Sequence, residues 1–314
     1  MRLADACRSH ANPQVRPVRW ADNLFGTAGG LFISVRETTA AGRQAEHDLP
    51  GFVSVHVQLS LIMRPLVFIT LCQSLIQLAS AEPIQFQSGA IQTPLLELYT
   101  SEGCSSCPPA EAWLSRLKES PNLWKDFVPV AFHVDYWDHL GWKDPFATAA
   151  FSERQRDYAD HWRSHSVYTP GFVLDGQEWR GWFNRDELPR ASSKLVGVLS
   201  ARSEGGKQWT LRFRPATTGA SASYEFHAAL LGFDLASGVK AGENRGRVLE
   251  HDFVVLALTG AASSKDGEVV QAALSLRSKF AVSPKRLAFA AWVTSAKSLQ
   301  PVQTLGGWLA LASH

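Results

Sequence analysis

The chain has 314 residues, with 31 Lys plus Arg against 29 Asp plus Glu, 45% apolar and 19% charged residues, and four cysteines. This near-neutral balance supplies no basic stripe for a nucleic acid and too little charge for a disordered acidic or basic tail, so the content is that of one large or two ordinary globular domains. Four cysteines are too few for a disulfide-stapled miniature scaffold, and a chain of this length buries a core without staples.

The first interpretable segment starts at Met63. Arg64 is followed by an apolar stretch through Leu78 and by Ala79-Ser80-Ala81, which has the positive end, apolar middle and small-residue cleavage site of a secretory signal. The competing readings are a buried helix or a membrane span. The unbroken apolar stretch is about half of the roughly 20 residues a span requires. The expectation is therefore a signal peptide at 63–81, cleaved after Ala81, a periplasmic location, and no membrane span in what remains. Residues 1–62 contain six Arg and no Lys and show no clear period. They read as a spurious or disordered extension, with translation starting at Met63. The first 81 residues hold seven Arg and five carboxylates, which leaves 24 charges of each sign in 82–314. Cys7 and Cys72 fall in the removed part, and only Cys104 and Cys107 remain.

Pro94 through Thr100 is a short apolar run of strand length. Ser101-Glu102-Gly103 is a turn, and Cys104-Ser105-Ser106-Cys107-Pro108-Pro109 opens a helix whose prolines sit in the first turn, where missing amide donors cost least. Phe127–Asp135 reads as a second strand and Pro145–His165 as a helical segment. Val167–Trp182 reads as two strands joined at Asp175-Gly176, a strong hairpin signal. Asp186–Leu199 is the closing helix. The order β, α, β, α, β, β, α predicts an α/β domain over 82–199.

Beyond about Ser200 the pattern changes. Trp209–Arg214 alternates apolar and polar residues, and Tyr224–Phe233, Val248–Leu258, Glu268–Leu276 and Arg286–Thr294 are strand-like runs between Gly, Ser, Asn and Pro clusters. These predict a smaller antiparallel, sandwich-like β-rich domain over 200–314, some of whose strands could instead extend the first sheet. Ala241–Arg247 reads as a polar, glycine-rich connection followed by His251-Asp252.

A strand, a Cys-x-x-Cys pair at a helix start and a later Thr169-Pro170 opening a hairpin together resemble the thioredoxin fold. The helix N-terminus favours a thiolate at Cys104, Cys107 would resolve, and Thr169-Pro170 matches the position where thioredoxin-like proteins hold a cis-proline facing the disulfide. His133 through Phe146 is dense in aromatic and titratable groups. In it Trp137 and Trp142 offer flat surface to a substrate polypeptide, and Asp135 or His133 a proton acceptor for Cys107. A Trp-rich packing plug explains the same residues. Three other readings stand beside redox chemistry. A structural disulfide is natural in an exported protein, although closing so short a loop contributes only about 2 kcal/mol. A zinc site would need two further ligands. Cu(I) held by Cys104, Cys107 and a histidine such as His133 suits soft-ligand chemistry.

Leu98–Glu111, His133–Asp138, Tyr168-Thr169-Pro170 and Gly242–Arg247 resemble an uncharacterised family of secreted thioredoxin-like bacterial proteins, catalogued as a domain of unknown function. The resemblance covers nearly all of 90–314 and implies a thioredoxin-like fold, export and a cysteine pair at the redox position, with no established substrate. The sequence thus predicts an exported thiol-disulfide oxidoreductase. Cys104 and Cys107 do the chemistry, Pro170 shapes the docking edge, and protein thiols or disulfides are the partners; neither a cofactor nor a resident metal is expected. A copper-delivery protein and a non-catalytic binding module are the alternatives.

Overall fold

The computed structural model describes residues 82–184, 192–217, 223–266, 269–276 and 282–310. The predicted extension at 1–62 and signal at 63–81 lie outside the described residues, as does the start of the predicted helix at 186–199.

The apolar run before the cysteines forms β2 (Leu95–Thr100), buried along its whole length. A strand buried on both faces needs no alternation, and this one has none. It runs parallel to β3 (Val128–His133), with Leu95 opposite Val128 and Thr100 opposite His133, and antiparallel to β4 (Gly171–Leu174). Between β2 and β3 lies α1 (Pro108–Ser115), and between β3 and β4 lies α2 (Ala149–His161). Asp175 and Gly176, with φ of 48° and 79°, turn the chain into β5 (Gln177–Glu178). Positive φ at both positions is the requirement that an Asp-Gly pair meets. A short helix, α3 (Gly181–Asn184), follows.

The sheet does not end at β3. Strand β11 (Val254–Ala262) joins its far side in parallel, Val254 opposite Ala131. Next come β8 (Tyr224–Phe233), β14 (Arg286–Ser295) and β15 (Pro301–Leu309). The eight strands lie in the order β15-β14-β8-β11-β3-β2-β4-β5. A second sheet has the order β1-β6-β7-β13-β12. It is built from β1 (Ile84–Gln87), β6 (Gly197–Ser203), β7 (Gln208–Pro215), β12 (Ser264–Asp266) and β13 (Val269–Ser275). Strands β9 (Leu235–Gly238) and β10 (Val248–His251) pair only with each other.

This architecture corrects the predicted fold class. The molecule is not an α/β thioredoxin-like domain followed by a smaller β-rich one. It is β-rich among the described residues, with an eight-stranded mixed sheet, a five-stranded antiparallel sheet and a two-stranded pair against α-helices of 8, 13 and 4 residues. The elements of 82–199 are not self-contained: β1 and β6 belong to the second sheet, and β11 extends the first, which is the alternative left open for the later strands. The predicted closing helix ends instead in β6. Leu199 and Ala201 are buried there while Arg202 is exposed, the period of two that a strand requires. Among the described residues, no helix is long and apolar enough to cross a membrane.

Strand β14 shows why the sheets are joined. Ala288, Ala290 and Trp292 pack into the core shared with β2, β3, α1 and α2, while Phe289, Ala291 and Val293 pack against Leu199, Trp209, Leu211 and Phe213 of the second sheet. Trp209 stacks on Phe289 with ring centroids 3.8 Å apart, and Phe86 of β1 stacks on both. From Leu287 to Val293 the strand is apolar because each face enters a different core.

Inside the first core lies a charged centre. Glu97 of β2 is fully buried and accepts from Arg154 Nε at 2.8 Å and Nη2 at 3.0 Å, and from the hydroxyls of Tyr99 at 2.9 Å and Tyr158 at 2.6 Å. The guanidinium carbon also lies 5.3–5.5 Å from the ring centroids of Phe132, Tyr158 and Trp292. Every lone pair of the carboxylate has a donor, the condition under which a buried ion pair persists. Replacing Glu97→Ala strands Arg154 among aromatic rings and is expected to cost about 3–5 kcal/mol in urea unfolding. A loss of under about 1 kcal/mol would show that this centre is not a structural constraint.

Candidate functional site

The parallel pairing of β2 with β3 sets the end of β2 at Thr100, and the chain then turns through Ser101-Glu102-Gly103. Gly103 is required by crowding: a Cβ there would lie 2.8 Å from Trp137 Cβ. Cys104 and Cys107 form a disulfide with a Cα–Cα distance of 5.5 Å. Cys107 is the N-cap residue of α1, and Pro108 and Pro109 occupy the first helical positions. The helix therefore presents its dipole to the cysteines without two of the amide donors that usually accompany it.

Both cysteines are fully buried, whereas Ser105 and Ser106 between them are exposed. Three segments enclose the pair. Cys104 Sγ lies 3.8 Å from the Thr169 carbonyl oxygen, and the Thr169–Pro170 peptide is cis. Trp137 Nε1 donates to Thr169 Oγ1 at 2.8 Å. The β9–β10 connection supplies the third segment. Fully buried Asn244 donates to the carbonyls of Glu102 and Cys104, both at 2.9 Å. Glu243 accepts from the Ser105 amide at 2.9 Å and hydroxyl at 2.7 Å, contacts that hold its carboxyl below the usual range.

A buried polar cluster adjoins the same turn. His251, at the end of β10, is bonded at Nε2 to Glu102 at 3.0 Å and at Nδ1 to Glu111 of α1 at 2.5 Å. Burial alone would lower the imidazole pKa, but Glu111 and Glu102 outweigh it and hold it at about 10. The Glu111 carboxyl is pushed up by burial, yet His251 keeps it below the ordinary value, and its second oxygen accepts from the Thr100 hydroxyl. Glu102 also accepts from Trp142 Nε1 at 2.6 Å and the Ser237 hydroxyl at 3.2 Å. Its backbone amide donates to Asp144 at 2.9 Å, and the same carboxylate oxygen meets His133 Nδ1 at 2.8 Å. Burial opposes the Asp144 charge, but His133 holds its carboxyl below the usual range.

Of the residues singled out from sequence, the structure brings together Cys104, Cys107, Thr169, Pro170 and Trp137. It does not bring Asp135 or His133 into hydrogen-bond contact with Cys107. Asp135 accepts from the Ser152 hydroxyl at 2.5 Å and His133 is bonded to Asp144. Trp142 is half-buried and donates its Nε1 to Glu102. For Cu(I), the two sulfurs are joined to each other, so neither is a thiolate ligand in this state. Sequence reasoning missed Glu102, Glu111, Asp144, Asn244 and His251 as a group. The available signals were the acidic residues flanking Cys-Ser-Ser-Cys and the unexplained Gly242–Arg247 segment.

The family described as "Protein of unknown function (DUF1223)" matches residues 95–294. No curated protein matches the chain. Among solved structures it is similar to protein AGR_C_4864 from Agrobacterium tumefaciens, at 21% identity over 72% of this chain and 100% of that one, TM-score 0.48. It is also similar to HBP35 of Porphyromonas gingivalis, at 11% identity over 71% of this chain and 76% of that one, TM-score 0.48.

The two Asn244 bonds contribute about 1 kcal/mol each, so Asn244→Ala is expected to ease opening of the β9–β10 connection by about 2 kcal/mol. Reduction of the disulfide by dithiothreitol, followed by alkylation and mass measurement, should accelerate roughly thirtyfold. An unchanged rate would show that this connection does not control access to the cysteines.

Proposed function

The chain belongs to the DUF1223 family of proteins of unknown function, and we propose that it is an exported thiol-disulfide oxidoreductase whose Cys104–Cys107 pair exchanges with thiols or disulfides of a partner protein. The observation that carries this reading is the setting of the disulfide, at the N-terminus of α1 with Cys104 Sγ 3.8 Å from the Thr169 backbone carbonyl. A backbone edge beside the attacking sulfur gives an extended partner segment something to pair with.

In the dithiol state the Cys104 thiolate attacks one sulfur of a partner disulfide. That bond breaks, the second partner sulfur leaves as a thiolate, and a mixed disulfide joins the two proteins. The Cys107 thiolate then attacks Cys104 Sγ, closing the intramolecular disulfide and releasing the first partner sulfur as a thiolate. Two electrons pass to the partner, and the reverse sequence oxidises a partner dithiol. A cleft of about 650 Å³ lined by Gln155, Trp162, Tyr168, Phe172 and Arg180 reaches the residue preceding Thr169 and supports docking of a polypeptide there. A disulfide persists in oxidising compartments, which agrees with export by the signal read at 63–81.

One observation favours a second reading. Both cysteines are fully buried, as in an inert structural disulfide, whereas exchange requires exposed sulfur. The oxidoreductase reading meets this with an opening of the segment carrying Asn244. The test equilibrates the protein in glutathione buffers of graded poise and quantifies alkylated Cys104. A single two-electron transition is expected, and Cys107→Ser should accumulate a mixed disulfide with glutathione at Cys104. Absence of that adduct in Cys107→Ser, and also in Cys107→Ser combined with Asn244→Ala, would leave the structural disulfide as the correct description.

A further inference from the structure

The buried cluster beside the disulfide has one unsatisfied member. His133 is 1% exposed, its Nδ1 is bonded to Asp144 at 2.8 Å, and its Nε2 is buried with no hydrogen-bond partner. An orphaned polar atom at such a depth costs about 1–3 kcal/mol unless something engages it. Ligand atoms of Glu111, His133 and His251 lie within 4.8 Å of one another, and all three residues are buried.

The surroundings of these three side chains supply what metal ligands require. A ligating histidine usually holds its other ring nitrogen on a carboxylate, which fixes the tautomer and aims the free lone pair. His133 does so through Nδ1 on Asp144, and His251 through Nε2 on Glu102 at 3.0 Å. Glu111 is oriented by the Thr100 hydroxyl on one oxygen, which leaves the oxygen that faces His251 Nδ1. Each potential ligand thus has a separate outer partner, and one ligand atom from each of the three side chains lies within 4.8 Å of the other two. We propose that Glu111, His133 and His251 form a binding site for one divalent transition-metal ion of borderline softness, of the Zn²⁺ class. Two imidazoles and one carboxylate suit such an ion and disfavour Ca²⁺ and Mg²⁺, which take oxygen ligands.

On binding, the Nδ1 proton of His251 leaves to solvent and its lone pair goes to the metal, while Nε2–H stays on Glu102. His133 gives its Nε2 lone pair, and Glu111 exchanges its contact with His251 for the ion. With three carboxylates in the cluster, Glu102, Glu111 and Asp144, the dication enters an environment that already favours positive charge. The site does not depend on the redox reading, because it uses neither cysteine.

The test uses the full chain with its disulfide intact, stripped with a chelator, and measures Co²⁺ uptake both by the native protein and on refolding from denaturant with Co²⁺ present. One Co²⁺ per chain with visible d–d bands, displaced by Zn²⁺, is expected in the wild type and in the Cys104→Ser/Cys107→Ser double variant. His133→Gln, checked for fold by circular dichroism, should lose binding. Asp144→Asn, which keeps the three ligands, should weaken it roughly 10–100-fold and carries the test if His133→Gln does not fold. The proposal is overturned if neither the native nor the refolded wild type takes up stoichiometric Co²⁺, if uptake vanishes in the double cysteine variant, or if folded His133→Gln or Asp144→Asn binds like wild type. Failure here with normal glutathione exchange would leave the oxidoreductase reading standing, and the converse result would separate the two in the other direction.

Discussion

His251 lies between two carboxylates that come from either side of the Cys104–Cys107 turn: Glu102, two residues before the first cysteine, and Glu111, four residues after the second. An imidazolium held on both ring nitrogens ties the end of β2, the start of α1 and the end of β10 into one electrostatic unit. All three groups are buried, so the arrangement survives only while the charges and their remaining hydrogen bonds are satisfied together. Trp142 and Ser237 complete Glu102, and Thr100 completes Glu111. Removing His251 leaves two buried carboxylates without a counter-charge, and removing a neutral donor leaves a buried carboxylate oxygen without its hydrogen bond.

The joined sheets make this bridge possible. Strand β10 ends at His251 and β11 begins at Val254, which enters the large sheet parallel to β3 opposite Ala131. That register carries His251 beside His133 at the end of β3, with ring centroids 5.1 Å apart. The β9–β10 connection then reaches the cysteine turn through Asn244 and Glu243. One hairpin from the C-terminal half thus contacts the turn through its buried residues and its exposed ones. A free-standing first domain would have neither contact, and its Glu102 and Glu111 would have no counter-charge.

The elements around the cysteines were legible because their signals are local. An apolar run of strand length gave β2, prolines after Cys107 marked the first turn of α1, and Asp175-Gly176 marked its hairpin through the positive φ that the turn demands. The fold class was not legible, because a β, α, β, α, β, β order says nothing about what joins the free side of β3. The predicted helix at 186–199 ends in Gly197, Val198 and Leu199, which already alternate between buried and half-buried as the first residues of β6. The buried cluster was the least legible part. Its bonds from His251 to Glu102 and Glu111 span 149 and 140 residues, and in sequence Glu102 is an ordinary turn residue and Glu111 an ordinary first-turn acid. His133 was noticed for its neighbours, but its partner is Asp144 rather than a cysteine. Asn244 lay in a segment that looked like a solvated connection, and its full burial follows only from what it clasps.

The link between the two sides of the cysteine turn rests on a buried imidazolium at His251. It is tested most directly by nitrogen-detected NMR of the histidine side chains in metal-free protein, with His251 assigned by comparison with His251→Gln. At pH 8 both ring nitrogens of His251 are expected to carry slowly exchanging protons, and the ring is expected to lose one only near pH 10. A His251 that is neutral at pH 8 and titrates near the ordinary histidine value of about 6.5 would contradict it.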